Sequence, residues 1–198
     1  MSIVLSLLIG YAIGGIPTGI LISRAVAGVD PRTLGSGSSG ATNVSRTVGK
    51  KWAIVVLILD ALKGFLPVFF LAPILVQQDQ ILSARIVLTF GTVLGHIWTP
   101  YANFRGGKGV ATAAGAMIAL DSLVLFVAFA MWLLVFLIFC RVSLASLLAA
   151  ISIPSAMLIF GNRPDELIVA GIALTALLIF THRENIRRLL AGREHPIT

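Results

Sequence analysis

Three polar segments of this 198-residue chain carry the residue types that grip phosphate. The first reads Gly35-Ser36-Gly37-Ser38-Ser39-Gly40-Ala41-Thr42-Asn43-Val44-Ser45-Arg46. Its glycines let consecutive backbone N–H groups converge as an anion-binding nest, its hydroxyls add donors, and Arg46 can hold phosphate oxygens bidentately. Ser36, Gly37, Ser38, Ser39, Gly40, Thr42, Asn43 and Arg46 are therefore candidate ligands of an anion. The run also matches GxGxxG, but that fingerprint denotes dinucleotide binding only between a strand and a helix of a βαβ unit. Here apolar spans flank it, so the dinucleotide reading is discarded. A flexible Gly/Ser linker is the bland alternative; the closing Thr42-Asn43-x-x-Arg46 favours a site.

The second segment, Arg105-Gly106-Gly107-Lys108-Gly109-Val110-Ala111-Thr112, leads directly into an apolar helix, whose amino-terminal end favours anions. It is not a Walker A loop. That motif needs Gly five residues before Gly107 and Ser or Thr after the lysine, where this chain has Ala102 and Gly109. Lys108 reads as a compact positive charge among the bare backbone donors of Gly106, Gly107 and Gly109, suited to a second anionic group. The third segment runs from His182 through Arg183, Asn185, Arg187, Arg188 and Arg193 to Glu194 and His195. If the preceding span continues as helix, His182 and Asn185, three residues apart, share a face. Histidine can move a proton near neutral pH, whereas Arg187 and Arg188 read as a basic tail on anionic lipid.

The elements that must position these segments are membrane spans. The composition is 58% apolar and 12% charged, against roughly 45–50% apolar and about 25% charged in soluble domains. A soluble globular protein is excluded, and one polytopic membrane domain, 1–198, is expected. The net charge of +7 is distributed between apolar runs instead of forming one patch, which points away from nucleic acid and toward anionic lipid and phosphorylated substrates. Cys140 is the single cysteine, which excludes an internal disulfide, and His96, His182 and His195 have no metal-ligand spacing. Neither a metal nor another cofactor is expected.

The spans read as Ile3–Ser23, Trp52–Val76, Ile81–Tyr101, Ser122–Phe139, Ser143–Phe160 and Glu166–Phe180, with a short apolar stretch at Gly109–Leu120. Met1-Ser2 supplies no positive n-region, so the first run is a span and not a signal peptide. If Gly109–Phe139 crosses twice, turning at Asp121, one face collects Arg24, Arg32, Arg46, Lys50, Lys51, Arg105, Lys108, Arg141, Arg183, Arg187, Arg188 and Arg193. Only Arg85 and Arg163 then lie outside, with Asp79, Asp121, Asp165 and Glu166. That positive-inside pattern predicts an all-α protein of seven transmembrane helices, amino terminus out and carboxyl terminus in. Within the second span, Asp60 and Lys63 can pair on one helical face and support the site; His96, Trp98 and Tyr101 read as structural.

GSGSSGATNVSR, GGKGVAT and HRENIRRLLAGRE resemble the three cytoplasmic motifs of the bacterial acyl-phosphate:glycerol-3-phosphate acyltransferases, the PlsY family. The resemblance extends through GIPTG of the first span, LDALKGF of the second and the seven-crossing arrangement. Ser38 stands where the family usually has Asn, and Arg105 where it usually has Lys. The resemblance implies transfer of a long-chain acyl group from acyl phosphate to the 1-hydroxyl of glycerol 3-phosphate, forming lysophosphatidic acid and inorganic phosphate in phospholipid biosynthesis, without metal or coenzyme A. It implies a catalytic set of Ser36, Arg46, Lys108, His182 and Asn185, with Glu194 added to the binding residues, at the cytoplasmic face of the bacterial inner membrane. A soluble acyl-phosphate-producing enzyme is a further implied partner. The competing class is a transporter or binding protein for an organic phosphate. The lack of an internal repeat, the short chain and the collection of polar groups at one face disfavour it.

Overall fold

The computed structural model describes residues 3–194 and 196, whose regular structure is helical with no strand among them. His195 and the Met1-Ser2 start lie outside the described residues. The helices are α1 (Ile3–Gly14), α2 (Thr18–Ala27), α3 (Ala41–Thr47), α4 (Lys50–Leu66), α5 (Ala72–Leu75), α6 (Ile81–Ile97), α7 (Val110–Leu120), α8 (Ser122–Phe139), α9 (Val142–Ile159), α10 (Asp165–Thr181) and α11 (Arg183–Leu190). By length and composition, five segments among the described residues can cross a membrane: Ile3–Ala27, Lys50–Leu75, Gln78–Ala102, Ser122–Phe139 and Val142–Ile159. The pair α10 and α11, bent by 61°, makes a sixth candidate, and α7 is a shorter apolar helix. The chain forms two compact units, Met1–Leu120 and Asp121–Thr198.

In the first unit, the opening span is two helices, not one. Pro17 has no N–H for the helical ladder, and the chain breaks between Gly14 and Thr18 before helix resumes. The exposed backbone this creates is answered by side chains: Lys63 Nζ donates to Ile16 O at 2.9 Å and Thr99 Oγ1 to Gly15 O at 2.5 Å. Irregular backbone at membrane depth requires such partners. α1 packs along α6 through glycines spaced by four on both helices. A methyl group on Gly14 would overlap the Thr92 main chain, and one on Gly95 would overlap Tyr11 O. Small residues are what let membrane helices approach this closely. Gly64 of α4 and Gly115 of α7 make a second such seam against Thr112 O and Ala61 O. α4 continues into a widened, π-type turn over Pro67–Leu71 before α5, the expected response to a proline inside a span.

In the second unit, Asp121 leaves helical geometry and caps α8, its carboxylate accepting from Val124 N at 3.1 Å. The same carboxylate receives Arg163 Nε at 2.8 Å. α8 and α9 join through Cys140, whose φ of 51° places it in the left-handed region. Pro154 lies inside α9, and a proline removes the N–H that would have met the carbonyl four residues earlier. That carbonyl is Ala150 O, and Thr175 of α10 donates its hydroxyl to it at 2.7 Å. The proline defect is thereby converted into a contact that joins α9 to α10.

Candidate functional site

Asn43 organises the first polar segment. It is 1% exposed; its Nδ2 donates to Pro31 O at 2.6 Å, Ser38 O at 2.8 Å and Leu34 O at 3.1 Å, while Oδ1 accepts from Ser36 N at 2.8 Å. An amide whose donors and acceptor are so engaged shapes the loop around it. Gly35 and Gly37, at φ 55° and 72°, give the loop its left-handed corners, which glycine adopts without steric cost. Gly40 N turns to Ser38 Oγ at 3.2 Å. Ser36 is exposed, Ser39 is buried, and Thr42 is partly buried at the start of α3. Val44 on α3 packs with Ala53 and Val56 of α4, so the short helix that presents the exposed Arg46 is fixed to a span.

The second polar segment is hung from the end of α6. The last carbonyls of a helix lack intrahelical partners; here Ile97 O accepts from Gly106 N at 3.0 Å and His96 O from Gly107 N at 3.2 Å. The backbone donors expected to surround Lys108 as anion ligands are, for these two glycines, engaged inside the protein. Their lack of a side chain serves close approach: a methyl on Gly106 would overlap His96 O, and one on Gly107 would overlap His96 Nε2. Gly109 has φ 84° and starts α7, accepting from Ala113 N at 2.7 Å. Lys108 is partly buried between them.

Beneath this segment is a buried ionic group. Asp60 and Lys63, 2% and 7% exposed, pair at 2.8 Å, as their spacing of three predicts. Thr18 Oγ1 donates to Asp60 Oδ1 at 2.5 Å, and His96 Nδ1 lies 3.4 Å from the same oxygen without hydrogen-bond geometry. His96 thus stands between the buried carboxylate and Gly107. His96 stands near the end of its span in the sequence, where nothing signals such a role.

Two further residues of the first unit, Asp30 and Arg32, have a role beyond the membrane face that the charge pattern assigns to Arg32. Asp30 accepts from Arg32 Nε and N, each at 3.0 Å, and from Arg32 Nη2 at 2.8 Å. Arg32 Nη1 then reaches the second segment, donating to Ala102 O at 2.7 Å and Arg105 O at 3.2 Å. The Arg32 guanidinium beside Asp30 holds the Asp30 carboxyl well below the usual carboxylate range. The Asp-Pro dipeptide at residues 30–31 was the available signal, since Asp side chains commonly accept the N–H two residues on.

In the second unit, helix bends at His182 instead of running on, so His182 is a hinge between α10 and α11. It is 3% exposed, with Nδ1 2.7 Å from Leu178 O. A carbonyl oxygen only accepts, so this bond puts the proton on Nδ1; in the neutral ring Nε2 is then the basic nitrogen. Asn185 is buried at 5% and donates Nδ2 to Glu194 Oε1 at 2.6 Å. Ser143 Oγ reaches the same oxygen at 2.7 Å, and Arg188 Nε reaches Oε2 at 2.6 Å. Burial alone would raise the Glu194 carboxyl, but the donors from Ser143, Arg188 and Asn185 outweigh it and hold it below its ordinary value. Glu194, expected among the binding residues, is therefore an anion that gathers three donors of its own unit. Arg187 pairs with Glu184 at 2.9 Å on the surface, a contact of small energetic value.

The sequence model of the family described as glycerol-3-phosphate acyltransferase matches residues 4–192. A glycerol-3-phosphate acyltransferase of Geotalea daltonii is 44% identical over 96% of this chain and 95% of its own length, and that of Aquifex aeolicus is 43% identical over 98% and 99%. Crystal structures of PlsY (YgiH), an integral membrane glycerol 3-phosphate acyltransferase, in a glycerol 3-phosphate form and a lysophosphatidic acid form, match with TM-scores of 0.90 and 0.88. Both are 39% identical and cover 100% of this chain and 96% of that one.

Proposed function

Because the chain belongs to the glycerol-3-phosphate acyltransferase family, we propose that it transfers a long-chain acyl group from acyl phosphate to the 1-hydroxyl of glycerol 3-phosphate. The solved relatives in their glycerol 3-phosphate and lysophosphatidic acid forms support the acceptor and the product. The observation that carries the choice of donor is that Arg46 and Lys108 stand on two polar segments hydrogen-bonded to each other through Arg32, beside spans apolar enough to accept an acyl chain. Two cations, one on each of the linked segments, suit two phosphate-bearing reactants.

The hydroxyl oxygen attacks the acyl carbon, the bond from that carbon to the phosphate oxygen breaks, and inorganic phosphate leaves. The hydroxyl proton goes to His182 or to a phosphate oxygen of a substrate, and the Nδ1 contact to Leu178 O supports His182 Nε2 as the acceptor. Asn185 completes the polar set. Ser36 serves as a substrate ligand without forming an acyl-enzyme, because a nucleophilic serine needs a neighbouring base held by a third group and the sequence around Ser36 carries no such signature. Acyl phosphate is moreover already activated.

The charge distribution of the sequence supports seven crossings of the bacterial inner membrane, amino terminus out and carboxyl terminus in, with Ser36, Lys108 and His182 facing the cytoplasm. A soluble acyl-phosphate-producing enzyme supplies the donor at that face. Purified protein given acyl phosphate and glycerol 3-phosphate will release lysophosphatidic acid and phosphate. Product formation from an acyl thioester alone would overturn the donor assignment, and stoichiometric label retained from radioactive acyl phosphate on wild type but not on Ser36→Ala would overturn direct attack.

A further inference from the structure

Arg32 belongs to the loop that leads to Arg46, yet its guanidinium ends on the loop that leads to Lys108. A guanidinium is a planar fork of five donors. Two of its nitrogens face Asp30, and the third turns away to Ala102 O and Arg105 O. Those carbonyls bracket Asn103 and Phe104, both left-handed at φ 55° and 56°, an uncommon geometry for residues other than glycine. On the other side, Arg32 follows Pro31, whose carbonyl accepts from the buried Asn43 amide at 2.6 Å. Asp30 is itself held, receiving Arg24 Nη2 at 3.0 Å. An unbroken path of bonds thus runs from the organiser of the first loop to both ends of the turn that opens the second.

We propose that Asp30 and Arg32 form a positioning strut that sets the spacing between the Arg46 loop and the Lys108 loop, and so the approach of the hydroxyl to the acyl carbon. The strut rests on the reading that Arg46 and Lys108 hold the phosphate-bearing reactants. Arg32 touches neither reactant; it acts through the carbonyls of Ala102 and Arg105. Misplacing bound reactants relative to each other slows the chemical step far more than it weakens the binding of either. Lysine keeps the charge of Arg32 but has a single nitrogen, which cannot face the carboxylate twice and reach both carbonyls.

The test compares full-length wild type with Arg32→Gln, Arg32→Lys and Asp30→Asn, measuring kcat and the KM of each substrate per folded protein, with thermal melts fixing the folded fraction. In both Arg32 variants kcat should fall by about tenfold or more while each KM stays within about threefold, and Asp30→Asn should shift kcat in the same direction by less. An unchanged kcat, a rise confined to one KM, or a loss accounted for by unfolded protein would overturn the strut. Should Arg32→Gln fail to fold, the Arg32→Lys and Asp30→Asn comparison decides alone. Lys108→Ala, assayed alongside, separates the two layers: normal kinetics there removes the phosphate reading, whereas an impaired Lys108→Ala with full kcat in the Arg32 variants removes only the strut.

Discussion

Gly107 lies against the imidazole of His96 so closely that a methyl group on its α-carbon would overlap Nε2. Overpacking of this kind costs about 1–3 kcal/mol. Gly107→Ala should therefore shift Lys108 itself and lower kcat/KM for the substrate it holds by roughly five- to a hundredfold. Adding His96→Ala, which clears the space, should return part of that loss. Kinetics of Gly107→Ala equal to wild type would show that the contact does not shape the loop.

Arg46 and Lys108 should respond differently to conservative exchange. A planar fork can hold two phosphate oxygens at once and an ammonium cannot, and a lost hydrogen bond to a charged group costs about 1.5–3 kcal/mol, or roughly ten- to a hundredfold in binding or rate. Arg46→Lys should be impaired almost as much as Arg46→Ala. Steady-state rates close to wild type in Arg46→Lys would remove the bidentate argument.

Glu194 links stability to acid. Its folded-state value lies below the ordinary 4.5, so its contribution is present above that pH and is lost progressively as pH falls below it. Thermal melts across this range should show a smaller acid loss for Glu194→Gln than for wild type, with Asp30 and Asp121, both also lowered, supplying the remainder. Glu194→Ala at neutral pH should destabilise by about 1–3 kcal/mol through its orphaned donors. An acid loss of the same size in Glu194→Gln would contradict the assignment.

Breaking the Asp60–Lys63 pair should be worse than deleting it. Removing one partner leaves a charge uncompensated in the membrane interior, at about 3–5 kcal/mol, whereas replacing both is often near neutral. Lys63→Met should melt well below wild type in detergent, and Asp60→Asn with Lys63→Met should recover most of the difference. A double variant as unstable as the single one would mean that the Lys63 contact to Ile16 O, and not the ion pair, sets the stability.

Most of the spans were legible because apolar runs in this chain are long and bounded by charge: α8, α9 and α10 begin and end within a residue of the sequence expectation. The polar segments were legible as composition, and the pairing of Asp60 with Lys63 followed from spacing alone. What was not legible is which partner each polar group takes. Nothing in the run Gly106-Gly107 says that its N–H groups meet the end of α6, because that depends on a tertiary approach between segments. The sequence marks Asn43 as a candidate ligand but does not show the bonds by which it organises its loop, for the same reason. The bend at His182 escaped helical periodicity, which carries no information on where a helix stops when no proline or glycine marks it.

The suspension of the Lys108 loop from His96 O and Ile97 O also bears on kinetics of encounter. A glycine-rich loop in water samples many shapes, and freezing it around an anion would draw on the interaction energy of the complex. Here the ordering precedes the ligand, since the loop prolongs the hydrogen-bond ladder of α6. Capture then needs no folding step, and on the proposed reading the rate at which the acyl phosphate arrives is set by diffusion and by electrostatic attraction. Raising the salt concentration should accordingly slow arrival of the donor without changing the shape that receives it.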